Sequence, residues 1–311
     1  MIALTKYIAL ILTLTFSFHA AAETHTIGTG SQSGTYYPLG GMLAKIWTEN
    51  IPNFDMRAEV TSASVENIVK VASGRELIGI SMGNVIEQAY EGTKPFPKKM
   101  DVSVLFALYP NLVQFIVPAN SDIHNIEDLK GKRVSLGAPG SGTRISALNI
   151  LRILGIKKSD LDSQALNFSA TTRALANGQI DAGVIVGSLG IGTITELSLT
   201  REIRILSFTK QQLEQISNVN PAYYPYNAAA GSYNNVGSFT VPAVWNVLVV
   251  NKNLNDDLAY QMTKVAFEHI ETLRSAIHVT HSTTVDNMDE LAGVPLHPGS
   301  QKYFDEHKTF K

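Results

Sequence analysis

One local pattern occurs twice in this chain, and it narrows the possible folds more than any other feature. From Thr26 to Gly41 the sequence reads TIGTGSQSGTYYPLGG. A short apolar strand end, Thr26-Ile27, runs into a turn rich in glycine and serine: Gly28, Gly30, Ser31, Ser33 and Gly34. A helix then begins, with Thr35, Tyr36, Tyr37 and Pro38 in its first turn. Proline suits that turn, because its missing N–H would have no helical partner there. From Arg133 to Leu151 the sequence reads RVSLGAPGSGTRISALNIL. The strand Val134-Ser135-Leu136 leads through Gly137, Gly140, Ser141, Gly142 and Thr143 into a second helix. The first N–H groups of a helix point outward and favour an anion. Two such units predict two similar lobes whose helix N-termini close on one anionic ligand.

The intervening sequence supports this division. Ser64 to Ser73 places Val65, Ile68, Val69 and Ala72 at helical spacing, and Gly74 is a helix stop. Leu77 to Ser81 and Ile180 to Val186 are short apolar runs of strand length. Val102–Tyr109 and Leu112–Val117 read as two strands split by Pro110-Asn111, with the first crossing between lobes near Val117 to Asn120. Pro221 to Gly237 has no regular period and reads as irregular surface chain leading to a return strand, Phe239 to Val250. Asp256 to Arg274 reads as one long amphipathic helix. Strands alternating with helices predict an α/β fold with mostly parallel sheets and helices on both faces. Ligands of such sheets sit at the carboxyl ends of the strands, where both Gly/Ser turns lie.

Composition excludes several classes of function. The chain has no cysteine, which removes disulfides, thiolate catalysis and Cys-ligated metals. A net charge of −2 gives no broad basic surface for nucleic acid. The first turn is neither a Walker loop nor a dinucleotide fingerprint, since Gly28, Gly30 and Gly34 are spaced one residue too long. His278 and His281 lack a nearby acid to complete a metal site. Ser141 has no recognisable histidine base. Neither a catalytic residue nor a cofactor is expected. At the N-terminus, Lys6, the apolar run Tyr7 to Phe18 and Ala20-Ala21-Ala22 predict a signal peptide over residues 1–22. The run is shorter than the roughly 20 residues of a spanning helix. The chain is thus expected to be exported, soluble and periplasmic.

The candidate ligand groups are Ser31, Gly34, Thr35 and Tyr36 from the first turn, with Ser141, Gly142 and Thr143 from the second. Hydroxyls and backbone N–H groups can hold a carboxylate without a full positive charge. Two further strand ends face the same place, adding Asn84, Gly187 and Ser188. Asn84 is read equally well as a helix cap. Arg144 could supply a charge or face solvent, and Tyr233 and Trp245 could wall the pocket or pack in the core. A tight strand-to-helix connection would account for either turn taken alone.

Several segments occur together in order: the first turn, Glu66-Asn67-Ile68, LGAPGSGTR, GQIDAG, PAYYPYNAAAGSY, TVPAVWNVLVV and LHPGSQKYF. This series resembles the TAXI solute receptors of tripartite TRAP transporters over nearly the whole exported chain. The resemblance implies a type II periplasmic-binding-protein fold, two α/β lobes joined by a hinge and closing on a small organic anion. It implies delivery of a carboxylate, glutamate or 2-oxoglutarate-like, to TRAP-type membrane permease subunits driven by an ion gradient. It favours the residues of the two turns and the Gly187-Ser188 bend as the pocket, although Leu189-Gly190 stands where a proline is expected. The expected lobes are 23–117 with 241–311, and 118–240, in a monomer. An exported surface protein with an adhesion role, or a transferase-type enzyme on the same fold, is the alternative.

Overall fold

The computed structural model describes residues 23–288 and 290–307, and the expected signal peptide lies outside them. Strands and helices alternate in the first part: β1 (Glu23–Gly28), α1 (Tyr36–Asn50), β2 (Phe54–Glu59), α2 (Ser64–Ala72), β3 (Ile78–Met82) and α3 (Gly83–Glu91). The spacing of Ile68 and Val71 buries one face of α2. Gly74 and Gly92, both at positive φ, end α2 and α3, where a side chain would be strained. A long strand, β4 (Val102–Pro118), follows.

The second part repeats the alternation with β5 (Arg133–Ser135), α4 (Gly142–Ile153), β6 (Asp162–Gln164), α5 (Phe168–Ala176), β7 (Ala182–Gly187), α6 (Gly192–Thr200), β8 (Ile203–Ile205) and α7 (Lys210–Val219). β9 (Tyr223–Ala228) and β10 (Phe239–Asn251) form an antiparallel pair. α8 (Asp256–Glu268), α9 (Ile270–Ala276) and α10 (Pro298–His307) complete the described chain.

Among the described residues the strands form one mixed sheet, in the order β2-β1-β3-β10-β4-β7-β5-β6, with β8 on β4 and β9 on β10. β1 runs parallel to β2 and β3, and β5 runs parallel to β6 and β7. Every pairing of β4 or β10 with another of these strands is antiparallel. The expected parallel sheets are therefore two flanks on an antiparallel centre. The reason lies in which halves of the central strands each flank uses. β3 pairs with Asn246–Val250 of β10, whereas β9 pairs with Phe239–Val244. β7 pairs with Leu112–Ile116 of β4. The two central strands thus pass from one lobe into the other, giving a two-lobe α/β architecture of the type II binding-protein kind.

Three expectations are corrected here. Pro110 does not split the strand: β4 continues through it, with Trp245 opposite and a register shift just beyond, between Trp245 and Val247. Part of the Pro221–Gly237 stretch is strand β9, whose residues are buried at both ends and more open between. The long C-terminal helix is two, separated at His269, although no glycine or proline marks the break.

Two apolar cores stabilise this arrangement. One packs α1, α8 and α10 on the first lobe, with Trp47, Leu39 and Phe304 fully buried. The other runs from α2 and α3 across the second lobe through Val113, Phe115, Ile150 and Val184. The second core is shared by both lobes, so their relative position is set partly by apolar packing.

Candidate functional site

A cavity of about 260 Å³ opens at the carboxyl ends of β1, β2, β3, β5 and β7. Its first side is the turn Gly30 to Tyr36, leading into α1. Its second is Ala138 to Thr143, leading into α4. Two more helix starts border it: Val60 to Ser64 before α2, and Asn167-Phe168 before α5. Met82, Tyr109, Asn111, Val186, Gly187 and Ile191 complete the wall.

Four helix N-termini therefore meet at one cavity, each with first-turn N–H groups that lack intrahelical partners. Ser141 caps α4 by accepting from the Arg144 N–H at 3.2 Å, and Asn167 caps α5 by accepting from the Ala170 N–H at 2.9 Å. α1 and α2 have no side-chain cap. Ala63, the residue before α2, is held at φ +76° and ψ −144°. A residue with a Cβ adopts that conformation only when its surroundings enforce it, and such strain gathers at binding sites. No arginine, lysine, histidine, aspartate or glutamate of the described residues lines the cavity. Any attraction for an anion there comes from helix ends and hydroxyls.

The lobes touch across this cavity. Thr35 Oγ1 and Ser188 Oγ lie 3.0 Å apart, joining the first turn to the bend after β7. Gly142 faces Ser64 and the end of Met82, and a Cβ there would lie 2.6 Å from Ser64 Oγ. Only glycine permits this closeness. These contacts join the two sides of the cavity directly.

Below the cavity the polar groups form a chain. Asn246 Nδ2 donates to the Tyr109 carbonyl at 2.8 Å. Asn246 Oδ1 accepts from the Tyr36 hydroxyl at 2.5 Å and from Asn111 Nδ2 at 3.0 Å. Burial raises the pKa of both Tyr36 and Tyr109 far above the ordinary phenol range, so both remain protonated.

Ser31, Gly34, Thr35, Tyr36, Ser141, Gly142, Thr143 and Gly187 all line the cavity. Ser188 does not, and instead meets Thr35. Asn84 lies outside it, fully buried, with Nδ2 donating to Ser146 Oγ at 3.1 Å and to the Tyr223 hydroxyl at 2.8 Å. It joins α3 to α4 and β9 and caps no helix. The Arg144 guanidinium turns back toward the Gly137 carbonyl at 3.5 Å. Tyr233 donates to Gln114 Oε1 at 2.7 Å in the core, and neither it nor Trp245 lines the cavity. His278 and His281 border a second cavity of about 280 Å³ beside Ser188 and Tyr226.

The sequence reading missed three parts of the wall. Thr61 to Ser64 is a third hydroxyl-rich strand-to-helix turn, lacking only the glycines. Asn167 is a helix cap that was legible by residue type. Tyr109 and Asn111 were hidden by the proline between them.

Residues 27–307 match the NMT1-like family. Among solved structures, a Xanthomonas citri protein bound to ATP aligns with a TM-score of 0.55 and 12% identity over 92% of this chain and 99% of that one. A putative L-cystine ABC transporter from Listeria monocytogenes gives 0.52 and 15%, over 87% and 97%. The alkanesulfonate-binding protein SsuA from Xanthomonas axonopodis pv. citri, bound to MOPS, gives 0.50 and 16%, over 91% and 83%. These likenesses establish the fold.

Proposed function

The chain belongs to the NMT1-like family, and on that premise we propose that it is a periplasmic solute-binding protein of the TAXI kind. It captures a small organic carboxylate, of the glutamate or 2-oxoglutarate kind, and delivers it to a TRAP-type membrane permease. The observation that carries this is the meeting of four helix N-termini and both Gly/Ser turns on one cavity with no charged side chain. The carboxylate rests on the N–H groups and hydroxyls of Ser31, Gly34, Thr35, Tyr36, Ser141, Gly142, Thr143 and Gly187. Ser188 acts through its contact with Thr35, and Asn84 ties the lobes behind the site.

Binding rather than turnover is supported by the lining, which offers no carboxylate, imidazole or amine to move a proton. We assign the lobes as 23–117 with 241–311, and 118–240. Because Leu112–Ile116 already ladder with β7, the central strands themselves serve as the hinge. A ligand that contacts both lobes favours the closed state.

The test is a thermal-shift screen of the purified protein against amino acids, dicarboxylates and oxoacids, after resident ligand is removed by unfolding and refolding. A ligand at 100 times its Kd adds about 2.7 kcal/mol, a rise of about 5 °C or more. A well-folded protein that shifts with none of these acids would not be a carboxylate receptor. Thr143, 3% exposed, presents its hydroxyl at the start of α4. Thr143→Val is expected to weaken binding by about 10- to 100-fold, the worth of a hydrogen bond to a charged group, and to leave the melting temperature of the free protein within about 2 °C. Unchanged affinity would remove Thr143 from the site.

A further inference from the structure

The cavity floor carries two polar side chains whose hydrogen-bonding capacity the fold leaves unused. Tyr109 and Asn111 are two residues apart on β4, so both side chains leave the same face of the strand. Both line the cavity, and they are 1% and 3% exposed. The Tyr109 hydroxyl and Asn111 Oδ1 have no hydrogen-bond partner, although the Thr35 hydroxyl lies beside Tyr109. Buried polar groups are almost always paired, and each exception calls for an explanation.

The hydrogen-bond chain fixes which atom of Asn111 is left without a partner. A backbone carbonyl can only accept, so the atom of Asn246 near the Tyr109 carbonyl is its amide nitrogen. Asn246 then presents its oxygen to Tyr36 and Asn111, and both must donate to it. The Asn111 nitrogen is thereby committed, and its oxygen is left as an acceptor. The protonated Tyr109 hydroxyl can donate as well as accept.

A ligand group seated against both must donate to Asn111, whereas Tyr109 can donate to it or accept from it. A methylene does neither, and a keto oxygen cannot donate. An ammonium could donate to both, but it would bring a positive charge among positive helix ends with no carboxylate in the lining. A hydroxyl does both and is neutral. We propose that the ligand is a hydroxy acid, its carboxylate on the helix N-termini and its hydroxyl between Tyr109 and Asn111. The proposal rests on the carboxylate-receptor reading given above and narrows it to one class of acid.

Calorimetric titration of the ligand-free protein with matched acids tests it. The three-, four- and five-carbon sets are propionate, lactate, pyruvate and alanine; succinate, malate, oxaloacetate and aspartate; and glutarate, 2-hydroxyglutarate, 2-oxoglutarate and glutamate. In the set that binds, the hydroxy acid is expected to be tighter than its deoxy, oxo and amino counterparts by about tenfold or more. Tyr109→Phe removes one hydroxyl, whose only polar neighbour is the Thr35 hydroxyl, and keeps the buried ring, so this variant is expected to fold. It should bring the hydroxy and deoxy acids to within about threefold of each other. Asn111→Leu should do the same. An oxo or amino acid that binds as tightly as the hydroxy acid, or a preference that survives in both variants, overturns the hydroxy-acid assignment and leaves the receptor reading standing. Binding by none of the twelve acids overturns both.

Discussion

Asn67→Ala is expected to lower the unfolding free energy by about 4 kcal/mol, the largest effect of any polar substitution near the site. Asn67 sits in α2 and is fully buried. Its Nδ2 lies 3.0 Å from the Gly28 carbonyl, 2.8 Å from that of Thr29 and 2.8 Å from that of Ile80. Its Oδ1 accepts from the Thr61 hydroxyl at 2.6 Å. One carboxamide thus ties the ends of β1 and β3 to the turn that leads into α2, and Thr61 itself lines the cavity. Alanine leaves several buried carbonyls unpaired, at about 1–3 kcal/mol each before relaxation. Urea unfolding of the two proteins measures the difference. Asn67→Asp, similar in shape but unable to donate, should lose about as much. A loss below about 1 kcal/mol in both variants would show that these carbonyls find other partners.

Glu76 gives the second large effect, a fall in stability as the pH rises. It is 3% exposed, and burial pushes its pKa from 4.5 to about 7. The Lys70 ammonium, 3.1 Å from Oε1, offsets that only in part, and Oε2 has no partner. Lys70 also pairs with Glu59 and Glu66. With the folded pKa above the unfolded one, the native state holds a proton that the unfolded chain releases. The resulting stability is fully present below about pH 4.5 and is lost as the pH rises through about 7. The whole change is about 3 kcal/mol. Unfolding curves at pH 5, 6, 7 and 8 should show most of this decline in the wild type and little of it in Glu76→Gln. Equal slopes in the two proteins would assign the decline to other groups.

The two substitutions meet at Gly28, which shows what was and was not legible in the sequence. Gly28, the first glycine of the first turn, does not line the cavity. A Cβ there would collide with the Glu76 carboxylate and lie 2.7 Å from Asn67 Oδ1. Its absence makes room for buried polar side chains under the turn. The Gly/Ser turns themselves were readable because glycine and hydroxyl spacing is local information, and it repeats. Asn67 stood within a segment shared with a known family, but its role depends on carbonyls 13 to 39 residues away. The same holds for Pro110. Proline removes a ladder donor and ordinarily ends a central strand. Here it lies beside an interruption in the β4–β10 ladder, which only the partner strand reveals. β9 was missed for a similar reason, since Tyr223–Ala228 becomes a strand by pairing with β10.

β4 and β10 also bear on how the molecule can be divided. The chain passes between the lobes inside a sheet, through residues that are nearly all buried. Proteases cut exposed, pliable connections, and neither passage is one. Mild digestion should therefore not release an intact lobe from the other. A gene fragment encoding 118–240 alone would lack the part of β4 on which β7 pairs and the part of β10 that continues its edge. The two lobes are thus joint products of the whole chain, each completed by strands that run through both.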